Sequence, residues 1–219
     1  MSNKIVNHIK NTKFLSEDVW FSEAGKFIYF KSSRTAGTSI LRGVFHDKHN
    51  KKTIPLAVKN FDMTLTDKEI KSDYFTFTFV RNPFEKIVSC YHFIKNNSGH
   101  ANWRRGIELS TFEDFIENKL VDKNGYATDG HWLPFHYYAY SGGERIVDFI
   151  GRFETLDDDW SYIGDKLYWK DSKLPHYQGH PDWETTGDGK SYRDMYTERT
   201  RNIVANIYSK DLKLFGYEF

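Results

Sequence analysis

The sequence predicts an α/β fold in which helices cover a central, mostly parallel sheet. Short apolar or alternating runs typical of strands occur at 26–31, 74–80 and 145–150, and helical spacing of apolar residues follows the first two. Strands that alternate with helices usually pair in parallel and carry helices on both faces. The length of 219 residues suits one domain, so we predict a single domain over 1–219.

The first strand leads into a turn rich in hydroxyl groups. The apolar run Phe27-Ile28-Tyr29-Phe30 is followed by a basic residue, a glycine and three hydroxyl residues, in the order Arg34, Thr35, Ala36, Gly37, Thr38 and Ser39. A helix over about 37–46 is predicted next. Backbone N–H groups at such a helix start bind anions, so the turn is a candidate phosphate or sulfate site. The nucleotide-loop pattern G-x-x-x-x-G-K-[ST] occurs nowhere in the chain.

A second strand, turn and helix follow the same plan. Residues 74–80 alternate aromatic residues with threonine, and Arg81 follows directly. Asn82 suits the N-cap and Pro83 the first position of a helix to about residue 94. Arg81 thus stands at the carboxyl end of a strand, and Ser89 lies two turns into the next helix. Two anion sites indicate a ligand with phosphate at two places.

Capping patterns predict three further helices. Ser110 with Glu113 and Thr155 with Asp158 indicate two helix starts, and Thr197 begins the last predicted helix.

Three stretches have no clear pattern. We expect a polar lead-in with a short amphipathic piece over 1–24, a long loop over 121–143, and a flexible flap over 171–190.

Composition narrows the function classes. Lysine and arginine number 31 against 30 acidic residues, so no net field favours nucleic acid or membranes as partners. The single cysteine, Cys90, fits a reducing compartment, and no Cys/His spacing indicates a metal site. Neither a signal peptide nor a 20-residue apolar run is present, which predicts a cytoplasmic protein.

These motifs resemble those of the carbohydrate sulfotransferases that use 3′-phosphoadenylyl sulfate (PAPS), including heparan- and chondroitin-type enzymes. The first loop reads Ser33 to Ser39 where the family usually has Pro-Lys-Thr-(Ala/Gly)-Gly-Thr-Ser, and the second motif reads Phe79 to Pro83 with Ser89. Further similar blocks lie at 131–134, 148–154, 192–196 and 210–219. The resemblance implies a P-loop-like three-layer sandwich, PAPS as co-substrate and 3′-phosphoadenosine 5′-phosphate (PAP) as product. Membrane-anchored relatives in this family carry a transmembrane segment.

The resemblance also implies residue roles. Arg34 would neutralise charge on the bridging oxygen while residues 35–39 hold the 5′-phosphosulfate. The 3′-phosphate would contact Arg81 and Ser89, with Tyr192 and Arg193 adding a further contact. Serine and arginine at 33 and 34 replace the usual proline and lysine, and Ile54 stands where relatives often have histidine.

A general base must take the proton of the acceptor hydroxyl, and histidine suits that role near neutral pH. His131 is the preferred candidate because it lies in a block similar to the family. The alternatives are His136, His46 with its neighbour His49, His176 and Glu154.

Three functions remain open at this point. The first is sulfuryl transfer to a hydroxyl of a carbohydrate or glycosylated molecule. The second is a catalytically impaired nucleotide-binding homologue, which the residues at 33, 34 and 54 would suit. The third is an atypical small-molecule kinase, against which the missing lysine-serine loop ending argues.

Overall fold

The structure is a computed structural model that describes residues 3–41, 59–61, 64–96, 110–168, 174 and 191–219. The chain divides into two compact units, each made of two chain segments. The first comprises Met1–Val80 and Phe135–Tyr177, and the second comprises Arg81–Pro134 and Gln178–Phe219.

All seven described strands belong to the first unit. They are β1 (Val19–Ser22), β2 (Phe27–Phe30), β3 (Lys59–Asn60), β4 (Phe75–Val80), β5 (Tyr140–Ser141), β6 (Glu144–Arg145) and β7 (Phe149–Arg152). Five form one sheet in the order β3-β1-β2-β4-β7, while β5 and β6 form a hairpin. β2, β4 and β7 pair in parallel, and β1 is antiparallel to both β2 and β3. Four of the five strands therefore run in one direction.

The described α-helices are divided between the units. Those of the first unit are α1 (Lys4–Asn11), α2 (Asp67–Asp73), α5 (His136–Ala139) and α6 (Leu156–Lys166). Those of the second unit are α3 (Pro83–Lys95), α4 (Phe112–Asn118), α7 (Glu198–Ile207) and α8 (Ser209–Phe215). Short 3₁₀ helices lie at Leu15–Asp18, Gly130–Trp132, Phe153–Thr155 and Tyr192–Met195. Helices around a mixed, mostly parallel sheet confirm the predicted α/β class.

Aromatic side chains form the core of the first unit. Phe77 of β4 stacks on Tyr29 of β2, with ring centroids 4.9 Å apart, and Trp160 of α6 belongs to the same buried cluster. The alternating threonines bind polar groups of neighbouring segments. Thr78 donates its hydroxyl hydrogen to the Phe30 carbonyl at 2.7 Å, and Thr76 bonds Asp148 at 2.9 Å. Because most buried hydroxyls are hydrogen-bonded, this alternation favours the β4 face with the phenylalanines for the aromatic core.

The second unit has its own core, which packs around α3. Its fully buried members include side chains from α3, α4, the 3₁₀ helix at 130–132 and α7: Ile87, Cys90, Ile94, Phe115, Trp132 and Val204. The predicted start of α3 is confirmed, because the Asn82 side chain accepts a hydrogen bond from the Phe84 N–H at 3.0 Å and Pro83 is the first helical residue.

The amino-terminal residues differ from the expected polar lead-in. They include α1, which buries Ile5, Val6 and Ile9, and β1, which pairs with both β2 and β3. The burial of α1 explains the difference, because its few apolar residues share one face.

Two predicted helix caps are wrong. Thr111, and not Ser110, caps α4 by accepting from the Asp114 N–H at 3.1 Å, while the Ser110 carbonyl accepts from the Tyr91 hydroxyl. Thr155 precedes α6, but its hydroxyl donates to Asp159 instead of accepting a helix N–H. At α4 the cap is therefore one residue later than predicted, and at α6 the predicted capping hydroxyl has a competing partner.

The predicted strand at 145–150 and the loop at 121–143 also need correction. The strand is found at Phe149–Arg152, because Glu144–Arg145 pairs with β5 around a turn at Gly142 and Gly143, whose φ values are 55° and 84°. The expected loop contains a 3₁₀ helix, α5 and β5. The flap at 171–190 lies outside the described residues except for Leu174, and the helix predicted at 37–46 is described only for 37–41.

Candidate functional site

The loop after β2 is fastened to the end of β4 by two buried hydroxyl groups. The Ser32 hydroxyl donates to the Phe79 carbonyl and lies 2.8 Å from the Thr35 hydroxyl, which itself donates to the Ser32 carbonyl at 2.8 Å. Ser32 and Thr35 are fully buried. The carboxyl ends of β2 and β4 are thereby joined within the first unit, and the Thr35 hydroxyl faces inward to hold the loop.

The loop backbone contains two left-handed residues directly before a helical turn. Arg34 and Ala36 both have left-handed backbone, with φ values of 65° and 60°. Helical backbone begins at Gly37, and the Ile40 N–H donates to the Ala36 carbonyl at 3.0 Å. Turns of this kind form concave sites in which backbone N–H groups face a ligand, and a helix start strengthens such a site. Thr38 is exposed there, whereas Ser39 is 9% exposed.

Lys31 is a cation of this loop that the sequence analysis missed. A Cβ atom on Gly37 would lie 2.9 Å from Lys31 Cγ and 3.3 Å from its Cδ and Cε, so the lysine side chain crosses the loop over that glycine. Its Nζ lies 2.5 Å from Asp18 Oδ1, and both side chains are mostly buried. The position of Lys31 directly after the strand was the available signal.

Arg81 is held in place at the start of α3. Its Nε and Nη2 atoms both donate to Glu85 Oε2 at 3.3 Å, and its side chain is 12% exposed. Asn82 also donates to the Glu218 carbonyl at 2.8 Å. Ser89 is 3% exposed, so its hydroxyl lies inside the second unit.

Tyr192 and Arg193 lie in the same region of the second unit. The Arg193 guanidinium is 4.6 Å from the centre of the Tyr192 ring and 5.7 Å from that of Phe219. The pKa of Tyr192 is raised above its usual value, mainly by burial. The positive charge of Arg193 and a hydrogen bond with Asn82 oppose this rise, and the negative charge of Glu85 adds to it. The Tyr192 side chain therefore lies near Asn82 and Glu85, which follow Arg81 in the sequence.

His131 forms a close pair with Asp129. Its Nδ1 lies 2.7 Å from Asp129 Oδ1, and the same oxygen accepts the His131 backbone N–H at 2.9 Å. The imidazole stacks on the Phe93 ring at 5.2 Å between centroids. The histidine side chain is 29% exposed, so solvent reaches it.

Comparison with known proteins decides the family. The sequence model of the sulfotransferase family matches residues 10–218. The chain belongs to the sulfotransferase family. It is similar to human carbohydrate sulfotransferase 10, at 24% identity over 98% of this chain and 71% of the relative, and to the Gallus gallus protein of that name, at 24% over 97% and 70%. Human carbohydrate sulfotransferase 14 is 24% identical over 66% of this chain and 42% of its own length. No solved structure matches the chain significantly.

The cytoplasmic location expected for this sulfotransferase is wrong. The expectation used the lack of an apolar span and a signal peptide, but the chain matches carbohydrate sulfotransferase 10 over almost its whole length, and the family that the sequence resembles includes membrane-anchored enzymes.

None of the helices in the described part of the chain is both long and apolar enough to cross a bilayer.

Of the other candidate bases of this sulfotransferase, only His136 and Glu154 are among the described residues. His136 lies in α5 of the first unit, with its ring 4.3 Å from that of Tyr137, whereas His131 belongs to the second unit. Glu154 is exposed in the 3₁₀ helix at Phe153–Thr155. His46, His49 and His176 lie outside the described residues. Among the described residues, no three His, Cys, Asp or Glu side chains form a group that could hold a metal ion.

Three buried side chains hold the backbone beside His131 in the second unit. Successive carbonyls of residues 131, 132 and 133 accept, respectively, from Cys90 Sγ at 3.2 Å, from the Tyr208 hydroxyl at 2.5 Å and from Lys86 Nζ at 2.6 Å. All three donors are fully buried. These three hydrogen bonds restrict the backbone that carries His131. No sequence pattern revealed them, because the donors are distant from residues 131–133 in the sequence.

Proposed function

We propose that this sulfotransferase transfers the sulfuryl group of PAPS to a hydroxyl of a carbohydrate or glycosylated molecule. The supporting observation is the loop after β2, whose left-handed turns and helix start form an anion site inside the family match. The family match also crosses both compact units, which supports one functional sulfotransferase domain over 1–219.

The donor would use two motifs. We assign the 5′-phosphosulfate to Arg34, to the backbone groups of residues 35–39 and to the exposed Thr38 hydroxyl, with Lys31 as an additional cation. The Thr35 hydroxyl, which the sequence placed on the ligand, is instead buried inside the loop. The 3′-phosphate is assigned to Arg81 and Ser89, with Tyr192 and Arg193 beside them. Glu85 would hold the Arg81 guanidinium until the phosphate arrives, since arginine grips phosphate by paired hydrogen bonds.

Catalysis would rest on position and charge. The acceptor oxygen forms a bond to sulfur as the bond from sulfur to the 5′-phosphate oxygen breaks, and PAP leaves with the bonding electrons. His131 takes the acceptor proton, while Arg34 stabilises charge on the leaving oxygen. Groups aimed at developing charge are typically the largest contributors to such reactions.

The proposed acceptor rests on the relatives. Human carbohydrate sulfotransferases 10 and 14 are named for carbohydrate acceptors. At 24% identity that similarity supports the acceptor class and no particular sugar.

Nucleotide binding gives the first test. PAP should raise the melting temperature of the chain far more than AMP or ATP, because only PAP carries the 3′-phosphate. Arg81→Ala should remove that preference, whereas the matched Arg199→Ala, at an arginine paired with Glu117 and 74% exposed, should keep it. Equal stabilisation by the three nucleotides would refute the proposal.

Transfer of radiolabelled sulfate from PAPS to a glycan panel tests turnover. His131→Gln should reduce transfer about 100-fold or more while PAP stabilisation persists, as expected for loss of a general base. PAP binding without any transfer by the wild type would favour the impaired homologue that Ser33 and Arg34 suggest. Phosphate transfer from ATP would favour the kinase.

A further inference from the structure

Asp129 makes two hydrogen bonds to His131 with one oxygen atom. Asp129 Oδ1 accepts the backbone N–H of His131 at 2.9 Å, which caps the 3₁₀ helix Gly130–Trp132, and it lies 2.7 Å from the imidazole Nδ1. An ionised carboxylate can only accept hydrogen bonds, so the contact requires the proton on Nδ1. Proton uptake by this ring then falls to Nε2.

The surrounding side chains fix the same ring from other directions. Phe93 stacks on the imidazole with an interplanar angle of 23°, and the carbonyls of residues 131–133 are held by Cys90, Tyr208 and Lys86. Backbone, ring plane and ring tautomer are therefore each set by a separate contact. A partly exposed histidine without a functional role would not need its backbone, its ring plane and its tautomer all to be fixed.

We infer that Asp129 is a positioning residue, which acts through His131 and sets its tautomer for proton uptake at Nε2. The inference rests on the proposed function and adds a residue to it. When the acceptor hydroxyl attacks sulfur, its proton moves to Nε2 and the ring becomes an imidazolium. The negative charge of Asp129 stabilises that cation, as carboxylates do beside catalytic histidines.

The test replaces Asp129 by serine. Serine is as good an N-cap as aspartate, so Asp129→Ser should keep the bond to the backbone N–H, but its shorter side chain withdraws from the ring. The control Asp122→Ser changes an aspartate of the same unit that accepts two backbone N–H groups, those of Asn124 and Tyr126, and no imidazole.

Nitrogen NMR on ¹⁵N-histidine-labelled protein reports the tautomer, and the His131 signals are identified by their loss in His131→Gln. The wild type and Asp122→Ser should show a protonated Nδ1. Asp129→Ser should shift the ring toward the other tautomer and lower kcat about 10- to 100-fold, with the KM for PAPS changed less than about threefold.

A wild-type ring protonated on Nε2 would overturn the inference. So would an Asp129→Ser protein with unchanged tautomer and kcat. If the wild type transfers no sulfuryl group, the proposed function fails, while the tautomer measurement still decides whether Asp129 sets the ring.

Discussion

Gly151→Ala should strain the sheet at the point where the candidate loop is fastened. Gly151 of β7 lies opposite Phe79 of β4 in the parallel register. A Cβ atom at residue 151 would lie 2.4 Å from Cε1 and 2.6 Å from Cδ1 of the Phe79 ring. The ring is fully buried and meets Phe77 edge to face at 6.3 Å. The added methyl group is about 1 Å too close for ordinary contact, and the neighbours restrict any movement of the ring.

The cost follows from comparable overpacked cores. Forcing one extra carbon into a packed core costs about 1 to 3 kcal/mol, and alanine regains about 0.5 to 1 kcal/mol over glycine from backbone entropy. Because contacts of 2.4 and 2.6 Å place the overpacking cost in the upper half of that range, we expect the free energy of unfolding to fall by about 1 to 2 kcal/mol. For a chain of this length that corresponds to a melting temperature roughly 2 to 8 °C lower.

Urea unfolding of the variant measures this change, and Phe79→Val gives the control. Valine removes the three ring atoms that the new methyl group would meet, so Gly151→Ala should cost nothing further in that background. The strain should also weaken stabilisation by PAP, because Ser32 of the loop donates to the Phe79 carbonyl. Wild-type stability in Gly151→Ala, or the same loss in both backgrounds, would refute the reasoning.

Three further predictions concern single side chains. Ser32→Ala should lower the free energy of unfolding by about 1 to 3 kcal/mol in urea titrations, and it should reduce the stabilisation by PAP, since the buried Phe79 carbonyl loses a donor. Lys86→Met should leave the Leu133 carbonyl without its ammonium donor. In steady-state assays this variant should have a lower kcat, while its KM for PAPS changes less. Burial raises the pKa of Tyr196 well above its usual value, so the unfolded chain ionises first and stability should fall above about pH 10. Tyr196→Phe should reduce that slope by up to about 1.4 kcal/mol per pH unit, as seen in denaturant titrations at pH 9 and 11.

Local signals account for the parts of the fold that the sequence predicted. β2 and β4 were found within about one residue of their predicted limits, because both are continuous runs of strand-forming residues. The start of α3 was correct because its cap uses adjacent residues, Asn82 and Pro83. In each case the deciding interaction is made within a few positions of the chain.

Contacts between distant residues explain what was missed. β1 was not predicted, since it is a short strand whose pairing with β2 and β3 decides its conformation. Lys31 gained its candidate role only once Asp18 and Gly37 were placed around it. His131 could be proposed as a base from its sequence block, but the Asp129 contact needed the turn of the 3₁₀ helix at 130–132.

The hydroxyl groups, backbone N–H groups and charged side chains of the loop after β2 have different roles. Ser32 and Thr35 use their hydroxyls inside the loop, so these groups support the turn and do not face outward. Backbone N–H groups and the exposed Thr38 are then left as the polar contacts for a bound anion, and cations must supply the neutralising charge. Lysine is the usual residue at the position of Arg34, and Lys31 brings an ammonium group to the same loop through a different residue. Asp18 holds that ammonium group at 2.5 Å, and the Lys31 side chain passes over Gly37.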